Sequence, residues 1–498
     1  MRNMFDRRVR TFGDEERVIR RIRALSSPLR ESSDLDLILE RIGSARYVLL
    51  GEASHGTSEF YTWRRMISER LIQEQGFSFI AVEGDWPDCY QVNRYVRHLA
   101  SSSSSARDVL RVFGRWPTWM WANEEIVGLV GWLHAFNADR PQASRVGFFG
   151  LDVYSLWDSL HEIDRYFKRN NPEARGLMGE VLRCFEPYGY DERAYARATS
   201  WLSASCEGEV IAVLQAMRER ARAPHNGDTE GIFNAEQNAL IAANAEAYYR
   251  AMVRPGAESW NIRDRHMVET LERLMTHHGN GARAIVWEHN THIGDARATD
   301  MAREGMVNVG QLVRERHGDE GVVSIGFGSH RGSVIASDAW GNPMNRMVVP
   351  PAAPGSYEDL FHRAEPDDAM LILDDLMDEQ PFLTPRGHRA IGVVYHPEYE
   401  HHGNYVPTVL RDAEGTVHVF PNGAITKLAN RTQGHSFYMF NLNISYADDA
   451  DRAIAVLQET GDQLATEDPY KTSILAPIEV FGVDQLAETH VVIKGRIK

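Results

Sequence analysis

The sequence predicts an α/β fold: a central, mainly parallel sheet flanked by helices, carrying a large helical insertion and a small β-rich, α+β appendage at the C-terminus. Three observations predict it. Four short apolar runs read as buried strands, RYVLLGEASHG (46–56), FSFIAVEGD (77–85), RVGFFGLDV (145–153) and RAIVWEHNTHIGD (283–295). The first two are separated by one helical pattern with short links, the signature of a βαβ unit with parallel strands. Between about residues 155 and 280 helix-forming sequence runs on without a convincing strand.

From the N-terminus, the segment up to about Arg41 reads as helical, with SSDLDLILERI placing a Ser/Asp cap before an apolar period. The first strand follows. In EFYTWRRMISERLIQEQG (59–76), Phe60, Trp63, Ile67 and Leu71 recur at helical spacing, and Gly76 supplies a C-terminal stop. The loop FGRWPTWMWANEE (113–125) is rich in tryptophan. Trp116, Trp119 and Trp121 are candidates to line an apolar pocket, against the ordinary alternative of packing into the core. The interval 155–280 reads as a helical insertion able to cap the strand ends, and alternation resumes with AIVWEH, VVSIGFGS (322–329), AMLILDD (369–375) and RAIGVVYH (389–396). After about Thr408 the character changes: GTVHVFPNG (415–423) and SFYMFNLNISY (436–446) read as β, DADRAIAVLQETGDQL as a helix, and IEVFGV and HVVIKGRIK as strands. This divides the chain into residues 1–409, with the insertion inside it, and residues 410–498.

Composition narrows the function. With 54 basic and 70 acidic residues among 498, the net charge of -16 opposes a broad grip on nucleic acid or an anionic membrane. No stretch of about 20 apolar residues is present to span a bilayer. Cys89, Cys184 and Cys206 are widely spaced without a CxxC pair, which suggests a reducing, cytoplasmic setting and no disulfide or zinc framework. No Walker loop, GxGxxG or GxSxG is present, and Ser329 in GSHRG stands one place early for a nucleophile elbow.

The chemistry gathers at strand ends. If the four strands lie parallel, Glu52, His55, Glu83, Asp152, His289 and His292 meet along the carboxyl edge, where open α/β sheets bind ligands. His55 is the natural base, since imidazole titrates near neutrality, and a carboxylate at Glu52 or Glu83 would hold one ring nitrogen and leave the other to activate water. Arg64, nine residues further on, either pairs Glu83 or an oxyanion, or is a surface ion pair. His289 and His292 fit three roles: metal ligands, transition-state donors or substrate clamps. HExxH is absent and no cysteine assists, so a metal-dependent hydrolase stands as the second reading and no cofactor is expected.

GEASHGTSEFY, FIAVEGD, NIRDRHM (261–267) and WEHNTHIGDAR resemble the erythromycin esterase family in order and spacing, from about Leu35 to Val409. The resemblance implies metal-independent hydrolysis of a small-molecule ester or macrolide lactone by a histidine acting on water. It makes His55 the general base and Glu52 its partner, with Arg64, Glu83, Arg263, His289 and His292 completing the polar site. Arg263 enters through the resemblance alone. With Asp152, Trp116 and Trp119 it is assigned to substrate binding. Residues from about 411 to 498 resemble the soluble segment of small-conductance mechanosensitive channels, without the membrane helices. That juxtaposition leaves a third reading, a non-catalytic recombinant that binds a ligand or forms a homo-oligomer through an unpaired strand edge.

Overall fold

The computed structural model describes residues 15–99, 105–189, 191–200, 205–222, 228–318, 321–365, 367–373, 382, 385–400, 405–408, 438–446, 448–464, 477–486 and 491–497. The chain divides into two compact units, residues 1–424 and 425–498.

The first unit is built on five parallel strands. They are β1 (Tyr47–Leu50), β2 (Phe79–Asp85), β3 (Gly147–Asp152), β4 (Ala284–Trp287) and β5 (Val322–Ile325), in the spatial order β3-β2-β4-β1-β5. β1, β3 and β4 are buried at every position, which is why they read as continuous apolar runs rather than alternating ones. The pairing register aligns Leu50 with Trp287 and Ile325, Val82 with Trp287 and Val82 with Gly150. Glu52, Glu83, Glu288 and Asp152 therefore leave the sheet within two residues of one level.

Helices cover both faces. A short helix α1 (Asp36–Ile42) precedes β1, and α2 (Ser58–Gln75) connects β1 to β2. The latter stops at Gly76, whose left-handed backbone (φ 69°) closes the last turn. α3 (Trp86–Val96) and α4 (Glu124–Asn137) follow, the second capped by the Asn123 side chain accepting from the Ile126 amide. One apolar core gathers side chains of α1, α2, α3 and α4 with Val48, Leu50, Ile80, Val82 and Phe148; a second packs Tyr47, Leu49, Phe79, Ala81 and Phe149 against the helix before β4.

Among the described residues the expected helical insertion comprises six α-helices: α5 (Leu156–Asn170), α6 (Arg175–Phe185), α7 (Glu192–Thr199), α8 (Glu207–Arg222), α9 (Thr229–Met252) and α10 (Glu258–His278). It has its own core, including Leu160, Phe167, Phe185, Tyr195, Met217 and Ala239. Here one expectation fails. Cys184 and Cys206 form a disulfide, with Cα atoms 5.8 Å apart, across 22 residues of sequence. Spacing gave no sign of it because the packing of α6 and the start of α8, not a local motif, brings the sulfurs together. The inference of a reducing compartment from cysteine usage loses its basis. Cys89 is free and buried.

Beyond β4 come α11 (Val309–His317), a hairpin of β6 (Gly332–Ala336) and β7 (Asn345–Val349), α12 (Tyr357–Ala364), and an antiparallel pair of β8 (Arg386–Arg389) and β9 (Tyr405–Thr408). AMLILDD and RAIGVVYH do not continue the sheet. Ala369 and Met370 pair with Ser27 and Pro28, and the stretch after Arg389 makes only isolated bridges, Ile391 to Ser54 and Val394 to Ser337. Those apolar residues are buried instead in a small cluster with the hairpin, where Ile391 and Tyr395 pack on Val334, Ala336 and Val349.

In the second unit, β10 (Tyr438–Ile444), α13 (Ala450–Leu464), β11 (Glu479–Leu486) and β12 (Val491–Ile497) make a three-stranded antiparallel sheet, β10-β12-β11, with one helix. The expected strand 415–423 lies outside the described residues. No helix among the described residues is long and apolar enough to cross a membrane.

Candidate active site

The turn after β1 fixes the first half of the site. Gly51 and Gly56 bracket it for steric reasons: a Cβ on Gly51 would lie 1.9 Å from the Asn290 side-chain oxygen, and one on Gly56 would lie 1.9 Å from the Ile335 carbonyl oxygen. Between them Glu52 is fully buried and faces two partners. Its Oε1 lies 2.9 Å from His55 Nδ1, and its Oε2 accepts from Arg64 at 2.6 Å. Arg64 is also fully buried, its guanidinium lying between the rings of Tyr61 (4.5 Å) and Trp287 (4.6 Å). The reading of Arg64 as a surface ion pair is thereby replaced: its partner is Glu52, reached from the second turn of α2. The Tyr61 hydroxyl donates to the His55 carbonyl at 2.7 Å and so steadies the turn itself.

Across from His55 stands His289, with ring centroids 4.7 Å apart. Its amide donates to Glu83 Oε2 at 2.8 Å, its Nδ1 lies 3.0 Å from the Thr291 hydroxyl, and its Nε2 is buried with no hydrogen-bond partner among the described residues.

The second half of the site is organised by Arg263 on α10. Its Nε and NH2 form a two-pronged contact with Asp152 at 2.9 and 2.6 Å, and NH2 also donates to Glu83 at 2.7 Å. Its NH1 lies 2.9 Å from His292 Nε2. A guanidinium has no acceptor, so that histidine nitrogen accepts, and Nδ1 carries the hydrogen donated to Asp264 at 2.9 Å. Trp260 lies flat against His292 with centroids 4.6 Å apart, and Tyr154 lies under Arg263. The carboxylates and histidine that would suit a cation thus converge on an arginine. Among the described residues no group of three His, Cys, Asp or Glu is arranged to hold a metal ion.

Burial and charge set the protonation states. For His55, burial alone would lower the pKa, but the Glu52 hydrogen bond and the Glu83 and Glu52 charges outweigh it and the net shift is upward. His289 goes the other way: burial and the neighbouring His55 hold it well below the usual imidazole range, hence neutral. For Glu83, burial is outweighed by neighbouring positive charge, that of Arg263 being permanent, and its carboxyl is held well below the usual carboxylate range. Glu288, just past the end of β4, is wholly buried with no hydrogen-bond partner for either oxygen among the described residues, and burial together with Glu83 and Asp264 pushes it far up, so it is held as the acid.

All six strand-end residues expected to meet do so, joined by Arg64 and Arg263. Trp119 is placed in the apolar core beside Met120 and Trp121, while Trp116 contacts Trp340 and donates to the Asn342 carbonyl. Trp121, the third tryptophan considered for an apolar pocket, is buried in the same core and donates to the Glu83 carbonyl at 2.9 Å. Trp260 and Asp264 were missed: Trp260 stands one helical turn before Arg263, the available signal, whereas Asp264, the residue after Arg263, offered none by spacing.

Residues 72–420 match the family model described as erythromycin esterase. Glu83, Asp152, Arg263, His289 and His292 fall inside that span; Glu52, His55 and Arg64 precede it. Over 331 residues the chain is 22% identical to erythromycin esterase type II of Escherichia coli, a match covering 63% of this chain and 75% of that one. Two solved structures share the fold. One, a protein from Bacillus cereus, is 20% identical, with a TM-score of 0.66 over 81% of this chain and 96% of its own. The other, a mutant erythromycin esterase in its open conformation, is 15% identical, with a TM-score of 0.57 over 79% of this chain and 94% of its own.

Proposed function

Because this chain belongs to the erythromycin esterase family, we propose that it is a hydrolase of carboxylic esters, with a macrolide lactone as the first substrate to test, and that His55 activates the attacking water. One observation carries the reading: Glu52 bridges His55 and Arg64, at 2.9 and 2.6 Å. That bridge holds the hydrogen on Nδ1 and directs Nε2 to act as base.

In the reaction, His55 Nε2 takes a proton from water as the water oxygen forms a bond to the ester carbonyl carbon. The developing oxyanion is stabilised by hydrogen-bond donors, for which neutral His289, its ring 4.7 Å from that of the base, is the candidate. When the tetrahedral intermediate collapses, the C–O bond to the leaving alcohol breaks and the His55 imidazolium returns its proton to that oxygen. Glu52 and Glu83 stabilise the imidazolium in between, and Arg263 holds Glu83, Asp152 and His292 in place.

The likeness of residues 411–498 to the soluble segment of mechanosensitive channels finds no support among the relatives of this chain, and it enters no step of this reaction.

A screen of macrolides and simple esters by mass spectrometry tests the proposal. A product heavier by one water, formed equally with and without EDTA, is the expected result. Absence of any hydrolysis refutes the enzyme reading, and loss with EDTA followed by recovery on adding one metal transfers it to the metal-dependent alternative.

A further inference from the structure

Where the tip of the hairpin β6–β7 meets the tryptophan loop, the first unit presents two indole rings that no step of the hydrolytic reading uses. β6 is tied to the turn that carries His55, the Ile335 amide donating to the Gly56 carbonyl at 2.9 Å. Beyond it the hydroxyl of fully buried Ser337 donates to the Ala339 carbonyl at 2.8 Å, and the Asn342 amide returns to that carbonyl at 3.1 Å. Gly341 takes the left-handed backbone the bend needs (φ 87°), and Trp340 is left 56% exposed.

Trp116 meets it there, with centroids 4.6 Å apart and the two ring planes tilted by 54°. The Trp116 Nε1 is already spent on the Asn342 carbonyl at 2.8 Å, so what it has left to offer is ring face. Arg193 on α7 lies 5.6 Å from the centre of the Trp340 ring.

This pair adjoins the Arg263 end of the polar site. Arg115, next to Trp116 in sequence, places its Nε 3.0 Å from Asp85, which pairs in register with Asp152, the carboxylate held by Arg263. NH1 of Arg115 lies 3.4 Å from the Tyr249 hydroxyl, which donates at 2.9 Å to the carbonyl of Tyr154, whose ring lies under Arg263.

The chemistry around the indoles selects the ring they receive. Polar side chains flank them with accessible surface: Arg115 and Glu192 are partly exposed and 3.5 Å apart, Arg193 is exposed, and exposed Asp338 holds the Asn342 amide side chain at 3.0 Å. An aromatic or purely aliphatic ring seated there would strip water from these groups and return no hydrogen bonds. A pyranose suits both surfaces, its C–H face packing on indole while its hydroxyls donate to the carboxylates and accept from the guanidinium groups.

Resting on the hydrolase reading, we propose that Trp116 and Trp340 form a stacking platform for a pyranose ring, so that the substrate is a sugar-bearing ester held by its sugar beside the Arg263 end of the site.

The test compares 6-O-acetylglucose with ethyl acetate, which share an acyl group and differ by the ring, through acetate released by the full chain. The wild type is expected to favour the sugar ester at least tenfold in kcat/KM. Trp340→Leu, apolar but without a ring face, should remove that preference through KM, and Trp340→Phe should keep most of it. A wild type without the preference, or a folded Trp340→Leu variant that retains it, overturns the proposal. If the wild type hydrolyses neither ester, binding decides apart from the hydrolase reading. Saturable quenching of tryptophan fluorescence by methyl glucoside, at least tenfold weaker in Trp340→Leu, then upholds the platform, and no saturable quenching, or equal affinity in the variant, overturns it.

Discussion

Replacing Glu52 by glutamine keeps its shape and removes one charge from a buried trio, with consequences that can be worked out atom by atom. In the native site one carboxylate oxygen faces His55 Nδ1 at 2.9 Å and the other accepts from Arg64 at 2.6 Å. An amide has a single acceptor oxygen and cannot serve both. If that oxygen stays on Arg64, the amide NH2 donates to His55 Nδ1, the ring hydrogen moves to Nε2, and the base is lost. A mispositioned tautomer of this kind costs roughly 10⁴-fold in kcat. If the oxygen turns to His55, Arg64 loses its counter-ion, and removing one half of a buried ion pair costs about 3–5 kcal/mol.

The pH profile separates this from a purely structural effect. A base works deprotonated, so activity rises with pH through the His55 pKa, which in the native protein lies above the ordinary 6.5. Burial opposes that shift and Glu52 is among its causes, so Glu52→Gln moves the midpoint to lower pH. The assay is kcat/KM from pH 5 to 9 on whichever ester the wild type turns over, with urea unfolding alongside. Activity within tenfold of wild type at an unmoved midpoint would refute the relay from Arg64 through Glu52 to His55.

Arg263→Lys keeps the charge but gives up the planar contact with Asp152 and the simultaneous contacts with Glu83 and His292; it should lower kcat about 10²-fold through mispositioning, with KM changing less. Equal kcat would show that Arg263 is dispensable for the geometry. Closing a loop of 22 residues, the Cys184–Cys206 disulfide stabilises the helical insertion by about 3 kcal/mol in the chain-entropy description. A Cys184→Ser/Cys206→Ser double variant should therefore unfold at lower urea while keeping its kcat at low denaturant, and an unchanged urea midpoint would contradict the bond's role.

The strands that carry the site were legible because parallel strands buried on both faces are uninterrupted apolar runs, as YVLL and AIVW show. Their order was not, since nothing local tells β1 to pair with β4 rather than β2. The polar residues at the strand ends were legible for the same reason: Glu52, Glu83, Asp152 and His289 each break an apolar run within two residues of its end. Residues that complete the site from helices gave weaker signals. Arg64 and Arg263 rested mainly on family resemblance, and Asp264 and Trp260 look like ordinary members of a charged, amphipathic helix. RAIGVVYH misled because its apolar residues serve a small cluster beside the hairpin β6–β7, and burial alone does not make a strand. The disulfide left no trace in spacing, for it joins positions that only the packed helices bring within 5.8 Å.

The most direct test of the central claim is the mass of an ester substrate incubated with the wild-type chain and with His55→Ala at equal folded concentration. Gain of one water with the wild type, abolished in the variant while its circular dichroism is unchanged, is the result expected if His55 is the base. Hydrolysis at the wild-type rate by folded His55→Ala would contradict it.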